Sequence, residues 1–581
     1  MRLTRSKSGV FRLATAVGLA GLLASTVAGS ASAIRPELRG HRTTQPSMLT
    51  STVPGATITP LITVGEKVDN YTFDALPDGI SIDNGSYGSG PLVNVYVNHE
   101  TSTVPFPYNP GAPTQSNSQN DFSNARLSRL AINPTTMKIR TGEYVIRNSE
   151  NYQRFCSNFL ATAAHGFTRN TLFTNEEAVD WVNRTGKAWP APIGADTARQ
   201  AGVVVAFDPA TGERRPIWGM GRFNHENAVA VPGYGKPVVL SGDDTFTNNP
   251  SQSQLYSYTA ANSTNLWNDV GVLRAFVSDD PLYQRYEDFI PGSVAAPAGR
   301  FIPVPGPIAM GRNPDGTEMM AGDVPVAYGG PYPLPPNDGT WQRDPNGIGI
   351  DGPQWVLEYW SKTNGVFGFV RVEDIASDKR PGMANIVYVA DSGRATTGAP
   401  GPGKSTNGRV WKLVLDPTDP KVVTSFSILI EGDDQPVKII TEVHQPDNLE
   451  TTTNGLYITE DPSSAQHFPA ADTDPNKTSA RLWQHRFSDM ATNVVASVDQ
   501  SSDGGVWDID GFANGNLGAW EASGVVDASA LFGSGAFLID VQAHTLWVAK
   551  AAGDDNVAPP GPDFTYKREG GQLLLIKIPG G

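Results

Sequence analysis

The segment GVVVAFDP at residues 202–209 carries the pattern that decides the fold. A glycine opens it, apolar and β-branched residues follow, and Asp-Pro closes it, as in a short strand bounded by turns. The same order recurs in GRVWKLVLDP at 408–417 and in GLYITEDP at 455–462. Loose repetition of one short-strand unit indicates four-stranded blades around an axis, with a β-sandwich or a barrel as the structural alternative.

The composition also favours short strands. The 581-residue chain contains 60 glycines and 46 prolines, so turns must be numerous. Further strand-like runs occupy 91–98, 126–133, 228–244, 253–260, 384–393, 480–487, 535–542, 544–550 and 572–579. Helical patterns are best developed at 176–184 and 264–286. We therefore predict an all-β chain with a few short helices.

The first 33 residues have the layout of a secretory signal peptide. Basic residues precede the apolar stretch 13–27, and Ala31-Ser32-Ala33 forms a small-residue cleavage pattern. The stretch contains no Arg-Arg pair, which favours the ordinary secretion route over the twin-arginine route. We therefore expect the mature protein outside the cytoplasm.

The rest of the chain is interpreted as one domain. We expect residues 34–60 to be irregular and residues 61–581 to form the β-domain. The Pro/Gly-rich residues 291–353 are interpreted as a long inserted loop, a candidate lid over one face of the domain. No run after the leader reaches the ~18 apolar residues of a membrane span.

The charge of the chain limits its partners. A net charge of −15 without Lys/Arg clusters argues against nucleic-acid binding and suits a soluble protein, expected to be a monomer, that collects cations. Cys156 is the single cysteine, so the chain forms no internal disulfide. The Cys156 thiol is then either buried and inert or chemically active.

An Asn-His-Glu triplet occurs twice at an end of an apolar run, as Asn98-His99-Glu100 and as Asn224-His225-Glu226. In a propeller, strand ends near the axis converge from distant parts of the sequence. Carboxylates gathered there need cations, and carboxylate and amide oxygens suit Ca²⁺. The alternative is a solvated strand end with a structural histidine.

Other candidate ligands have similar alternatives. A Cys156 thiolate would select iron, zinc or copper rather than calcium. Glu176 and Glu177 either bind a metal or begin a helix. Asp244 adjoins Asp243 at a strand end, where only one of the two is expected to be a ligand, and Asp447 is either an oxygen donor or part of an Asx turn.

Arg371 is the candidate anion-binding residue. It lies two positions before Glu373 in RVED, so both side chains share a face of an extended chain. The planar guanidinium of arginine fits phosphate or carboxylate, and a simple Arg–Glu ion pair is the alternative. The sequence contains no Gly-x-Ser-x-Gly elbow, P-loop or His-Glu-x-x-His motif.

Taken in order, the stretches between residues 91 and 462 resemble the PhoX-type alkaline phosphatase family of secreted bacterial proteins. The matching stretches are VNHE, RLSRL, FCSNFLA with NEE, GRFNHENAVAV, VVLSGDD, SQLYSY, RVEDI, VYVADSG, GRVWKL and PDNLETTTNGLYITED. The resemblance implies a six-bladed β-propeller with iron and calcium ions clustered at one end of the channel. It also implies hydrolysis of phosphate monoesters and, in some members, of diesters.

The resemblance further implies roles for individual residues. Cys156 would bind iron through sulfur, Glu226 and Glu373 would hold metal, and Arg371 would bind the phosphoryl group. Further metal ligands would be Glu177, Glu176, Glu100, Asp244 and Asp447. The chain departs from better-known members, which carry Thr-Cys-Glu-Glu contiguously, because Cys156 and the Glu176-Glu177 pair lie 20 residues apart.

The resemblance therefore implies a phosphohydrolase that acts on small phosphate esters, and the residue chemistry is consistent with it. Clustered metals neutralise phosphate oxygens and lower the pKa of a bound water, and Arg371 would add a bidentate clamp. One alternative is a non-catalytic surface propeller that binds calcium. The other is a related propeller hydrolase, such as a lactonase, a phytase or a phosphotriesterase.

Overall fold

The fold consists of antiparallel strand meanders, seen here in a computed structural model. The structure describes residues 40–83, 92–101, 124–178, 181–183, 198–200, 202–245, 251, 253–312, 315, 317, 352–393, 407–433, 441–461, 478–499, 509–510, 520–543, 546–548, 566–567 and 570–581. Residues Gly40–Gly581 cluster as one compact unit. The signal-peptide prediction for residues 1–33 lies outside the described residues.

The N-terminal half of the chain forms two meanders after four short strands. The short strands are β1 (Leu49–Ser51), β2 (Thr57–Thr63), β3 (Lys67–Val68) and β4 (Tyr71–Thr72). The first meander is β5 (Pro77–Asp83), β6 (Val93–His99), β7 (Arg126–Asn133) and β8 (Lys138–Ile146). The second contains β9 (Phe155–Ala161) and β10 (Thr171–Glu176), then the separate hairpin β11 (Trp181–Asn183) and β12 (Ala198–Gln200), then β13 (Val204–Phe207) and β14 (Arg214–Ile217).

The third and fourth meanders share one nine-stranded sheet. The third is β15 (His225–Ala230), β16 (Val238–Asp243), β17 (Leu255–Ala260) and β18 (Gly271–Ser278), followed by β19 (Gly299–Pro303). The fourth is β20 (Val372–Ser377), β21 (Ile386–Asp391), β22 (Arg409–Leu415) and β23 (Val422–Glu431). Strand β19 joins them because it pairs with both β18 and β23.

The C-terminal half of the fold is completed by strands from the N-terminus. The fifth meander is β24 (Pro446–Thr451), β25 (Gly455–Glu460), β26 (Arg481–Arg486) and β27 (Thr492–Val498), followed by β28 (Ile509–Asp510). The last contains β29 (Glu521–Asp527), β30 (Ala536–Ala543), β31 (Leu546–Val548), β32 (Tyr566–Lys567) and β33 (Gly570–Lys577). Strand β1 pairs with β27, and β2 pairs with β33.

The first strands of the meanders form a closed ring. Strand β5 contacts β9, β9 contacts β15, β15 contacts β20, β20 contacts β24, β24 contacts β29, and β29 returns to β5. The described strands make three sheets of four strands, one of five and one of nine, besides smaller ones. The predicted all-β class with a propeller-like arrangement is therefore confirmed.

Apolar side chains fill the spaces between neighbouring meanders. Tyr96 and Leu127 of the first meander, for example, pack in one buried cluster with Phe155 and Val205 of the second. The predicted strand 126–133 matches β7 residue for residue, because this largely buried run pairs with β6 on one side and with β8 on the other. This packing leaves the ends of the first strands to polar residues.

Four short α-helices lie in the described part of the chain. They are α1 (Ser263–Trp267), α2 (Gly306–Ala309), α3 (Gly352–Thr363) and α4 (Ser529–Phe532). The described helices are therefore few, as expected, and none is long and apolar enough to cross a membrane.

Two helix predictions are wrong. Within 176–184, Glu176 ends β10 and residues 181–183 form β11. Within 264–286, only α1 is α-helical, and Gly271–Ser278 is β18, paired with β17. Pairing with a neighbouring strand overrides the local helical periodicity in both places.

Two predicted irregular segments also contain strands. Residues 34–60 were expected to be irregular, but β1 and the start of β2 lie there, because the last two sheets offer them paired edges. The predicted loop 291–353 contains β19, α2 and the beginning of α3. Most of its C-terminal part, 318–350, lies outside the described residues, so the lid stays a prediction.

Candidate metal centre

Acidic and thiol side chains at the start of the first strands converge near the axis. They are buried and comprise Asp78 of β5, Cys156 of β9, Glu226 of β15, Glu373 of β20, Asp447 of β24 and Glu521 of β29. The pairing register shifts directly after this position in β5, β15, β20 and β24. Such bulges re-aim side chains and are common next to functional sites.

A second set of side chains follows the ends of the second strands. Glu100 comes directly after β6, Glu177 after β10, Asp244 after β16 and Asp461 after β25. The second strands lie beside the first strands in each sheet, so both sets reach the same end of the ring.

The ligand atoms of these residues form one connected cluster. The Cys156 Sγ–H donates to Asp78 Oδ2 at 2.9 Å and to Glu226 Oε1 at 3.1 Å. Three sets have ligand atoms that all lie within 4.8 Å of one another, namely Asp78–Glu100–Cys156, Cys156–Glu177–Glu226 and Glu226–Glu373–Asp447. Cys156 and Glu226 each belong to two sets, so the sets are continuous. Six of the eight predicted metal ligands, all except Glu176 and Asp244, therefore come together from distant parts of the chain.

Arg371 is held among three carboxylates at the edge of the cluster. Its Nε and Nη2 donate to the two oxygens of Asp244 at 2.8 and 2.9 Å. Its Nη2 also lies 2.9 Å from Glu373 Oε1 and 3.2 Å from Asp461 Oδ2. Arg371 and Glu373 thus share a face, and their contact is the ion pair that the sequence left open as the alternative. Burial alone would lower the pKa of Arg371, but these carboxylates raise it well above its ordinary value.

The electrostatics of the cluster favour bound cations. Burial, followed by the charges of Glu373, Asp447 and Asp78, raises the pKa of Glu226 well above its ordinary value. Burial and then Asp78 and Glu226 likewise raise the pKa of the Cys156 thiol. The groups therefore hold protons unless cations replace them.

The donor set fits metal ions. A thiolate suits a transition metal such as iron, whereas the clustered carboxylates suit hard cations such as calcium. Asp78 Oδ1 is buried and has no hydrogen-bond partner among the described residues, which leaves this oxygen available to a cation. The residues present are thus chemically suited to both classes of metal.

Glu176 lies outside these sets and binds backbone instead. Its Oε1 accepts from the Gln153 N–H at 3.0 Å, and its Oε2 accepts from the Val203 N–H at 3.2 Å. The last residue of β21, Asp391, also accepts backbone N–H groups at the equivalent position. Glu177, one residue later, is the member of the pair that joins the cluster.

In each Asn-His-Glu triplet, the histidine has a structural role and the glutamate belongs to the cluster. His99 bonds Ser128 Oγ at 2.6 Å, and His225 bonds Ser241 Oγ at 2.9 Å. Burial lowers the pKa of each imidazole to about 3, so both histidines are neutral structural groups. Glu100 and Glu226, by contrast, belong to the cluster.

The adjacent residues Asp243 and Asp244 also have different partners. Asp244 pairs with Arg371, whereas Asp243 accepts from Thr245 Oγ1 at 2.9 Å. This is the separation that alternating strand faces predict.

Sequence reasoning missed several residues of the cluster. Asp78 had a signal, because Pro77-Asp78 begins β5 as Pro446-Asp447 begins β24. Asp461 directly follows a strand, as do the other members of the second set. Ser157, which donates to Glu226 Oε1 at 2.7 Å, carried no signal beyond its position beside Cys156.

The ring of meanders and its buried thiol–carboxylate cluster define a propeller-like protein with a candidate metal-binding centre. The family model described as alkaline phosphatase PhoX matches residues 114–494, and the chain belongs to that family. Membership supports a metal-dependent phosphohydrolase of the alkaline phosphatase type. A search of curated proteins found no match.

Proposed function

We propose that the protein is a secreted phosphatase that cleaves phosphate monoesters, and diesters as a second substrate class, at an iron and calcium cluster. The observation that carries the proposal is the connected cluster through Cys156 and Glu226, beside the guanidinium of Arg371. Family membership supports the reaction class.

In this proposal, Cys156 and Glu226 hold iron, and the neighbouring carboxylates hold iron or calcium. The carboxylates are those of Asp78, Glu100, Glu177, Glu373 and Asp447. The bound metals supply Lewis acidity and lower the pKa of a bound water. Ser157 Oγ donates to Glu226 at 2.7 Å and Ser392 Oγ donates to Glu373 at 2.5 Å, so both serines would fix the orientation of a ligand.

Arg371 would bind the phosphoryl group. Its planar donors match phosphate oxygens, and burial strengthens a charge-assisted hydrogen bond. Phosphate would replace one of its present carboxylate partners. The contact to Asp461, at 3.2 Å, is longer than the 2.8 and 2.9 Å contacts to Asp244, so Asp461 is the partner we expect phosphate to replace.

The finer features of the fold and location belong to the same proposal. Dividing the nine-stranded sheet at β19 separates the third and fourth meanders and gives a six-bladed propeller. We expect the signal peptide to direct export by the ordinary secretion route and the mature protein to be a monomer. The sequence pattern of residues 1–33 supports the export proposal.

The test uses mature protein that begins after residue 33. We expect release of p-nitrophenol from p-nitrophenyl phosphate at alkaline pH, and loss of that activity after chelation and in Cys156→Ala. The control is Met490→Ala, because Met490 is exposed and outside the site. Activity that survives removal of all metal would contradict the proposal. Bis-p-nitrophenyl phosphate tests the diester class in the same assay.

A non-catalytic calcium-binding propeller is the second candidate. The observation that favours it is the guanidinium of Arg371, which is already neutralised by three carboxylates. Folded protein that contains calcium, lacks iron and turns over no ester would favour this candidate.

A further inference from the structure

Asp540 and Gln542 form a buried polar face next to the metal centre. They lie two residues apart on β30, so their side chains share a face of the strand. Both are fully buried, with 0% exposed surface. The Gln542 Nε2–H₂ donates to Asp78 Oδ2 at 2.9 Å and to Glu100 Oε2 at 3.1 Å. This face therefore adjoins the Asp78 end of the cluster.

The oxygens on this face lack hydrogen-bond donors. Within the part of the chain that the structure describes, both carboxylate oxygens of Asp540, Asp78 Oδ1 and Gln542 Oε1 are buried and have no hydrogen-bond partner. A buried polar group left without a partner destabilises the fold, and a charged one destabilises it more. Ser523, directly opposite Asp540 in the sheet, donates to Asn448 Oδ1 at 3.3 Å, and its hydroxyl also acts on Asp78, where it lowers the pKa of that carboxyl.

We propose that Asp540, Asp78 and Gln542 form a calcium site beside the metal centre. They supply hard oxygen donors and two negative charges, as Ca²⁺ requires, and water would complete its six to eight ligands. Asp78 would bridge the two sites, because its other oxygen, Oδ2, accepts from Cys156. The inference rests on the proposed function, since Asp78 belongs to both sites.

The competing explanation is a protonated Asp540. Burial, and then the charge of Asp78, raises the pKa of Asp540 well above its ordinary value. A neutral Asp540 would need no cation, but its single proton could be donated to only one oxygen, so the other unpartnered oxygens of Asp78 and Gln542 would stay unsatisfied. A bound cation satisfies all of these oxygens together.

The test compares calcium binding by wild type and Asp540→Asn. Both mature proteins are stripped with chelator, dialysed against Ca²⁺ and analysed for bound calcium and iron by elemental mass spectrometry. We expect Asp540→Asn to bind one calcium fewer per chain, with unchanged iron and a smaller rise of Tm on calcium addition. Equal calcium binding would overturn the site, and a more stable metal-free variant would then establish the protonated acid.

A matched control is Asp378→Asn. Asp378 is also buried but has its own partners, Arg380 Nη2 at 2.6 Å and Tyr388 Oη at 2.8 Å. We expect Asp378→Asn to lower stability and to leave the calcium count unchanged. A lost calcium in Asp378→Asn as well would show that general destabilisation, not a ligand, explains the Asp540 result.

A measurement on the unaltered protein covers the case in which Asp540→Asn does not fold. Wild-type crystals soaked with Ca²⁺ or Tb³⁺ should show an anomalous peak among Asp78, Asp540 and Gln542, and its absence at saturation would overturn the site. The calcium count needs no turnover. If wild type is inactive but Asp540→Asn still binds one calcium fewer, the phosphatase proposal is contradicted and the calcium site is supported.

Discussion

Two buried acidic regions of the ring balance their charge differently. At the end of β25, Glu460 accepts from Arg481 Nε and Nη2 at 2.9 and 2.8 Å and from Trp483 Nε1 at 2.9 Å. The metal centre gathers many more acidic groups, of which Arg371 at its edge contacts Asp244, Glu373 and Asp461. The negative charge of the first region is therefore neutralised by the protein itself, whereas the second region needs cations from solution.

Residues that are neighbours in sequence belong to different regions. Glu460 belongs to the self-balanced pair, and the next residue, Asp461, contacts Arg371 at the metal centre. Glu176 and Glu177 repeat the division, with backbone bonds for the first and cluster contacts for the second. The last residue of a second strand thus supports the fold, and the residue after it faces the site.

The largest expected effect is a difference in the free energy of unfolding between variants of the two regions. In metal-free protein, Glu460→Gln should lower the free energy of unfolding by about 3–5 kcal/mol, because it leaves buried Arg481 without its counter-charge. Glu226→Gln should not lower it, because the change removes one of several repelling acids. Guanidinium unfolding monitored by tryptophan fluorescence measures both. A larger loss for Glu226→Gln would show that the centre is as self-balanced as Glu460.

The next effect concerns the arginine of the metal centre. If Arg371 clamps phosphate, Arg371→Ala should lower kcat/KM for p-nitrophenyl phosphate about 10²–10³-fold, or roughly 2.7–4 kcal/mol. Arg371→Lys should not restore it, since a point charge lacks the planar fork. Arg486→Ala is the control, because Arg486 forms an exposed pair with Asp489. Unchanged kcat/KM in Arg371→Ala would remove this residue from the reaction.

The smallest effect is a difference in pH dependence. The pKa of Glu226 is raised in the folded state, so its protonated form stabilises the fold fully below its unfolded pKa of about 4.3. That contribution is lost as pH rises through the folded pKa. Metal-free wild type and Glu226→Gln should be similar near pH 4, and wild type should be the less stable at pH 8. Parallel stability curves would contradict the raised pKa.

Much of the fold could be predicted because its strands are locally encoded. The run 126–133 and the unit at 408–417 have the β-branched and apolar residues of strands and correspond to β7 and β22. The pairings of β1 and β2 could not be read locally, because Leu49 pairs with Val498 and Thr57 with Lys577. Only closure of the ring brings those partners together.

The site could be predicted where a carboxylate stands at a strand end. Glu100 and Glu226 carried that signal and join the cluster. The choice between Glu176 and Glu177 depends on the direction in which each side chain leaves the end of β10, and adjacent identical residues cannot encode that choice. Asp540 was missed because its position inside an apolar strand, FLIDVQ, gives no sign that Asp78 lies beside it.

The most direct test is elemental analysis of purified, folded protein before and after chelation. We predict bound iron and calcium, release of protons when metal is added back to stripped protein, and loss of iron in Cys156→Ala. Folded protein at neutral pH that contains no metal and takes up none would contradict the claim that external cations balance this buried cluster.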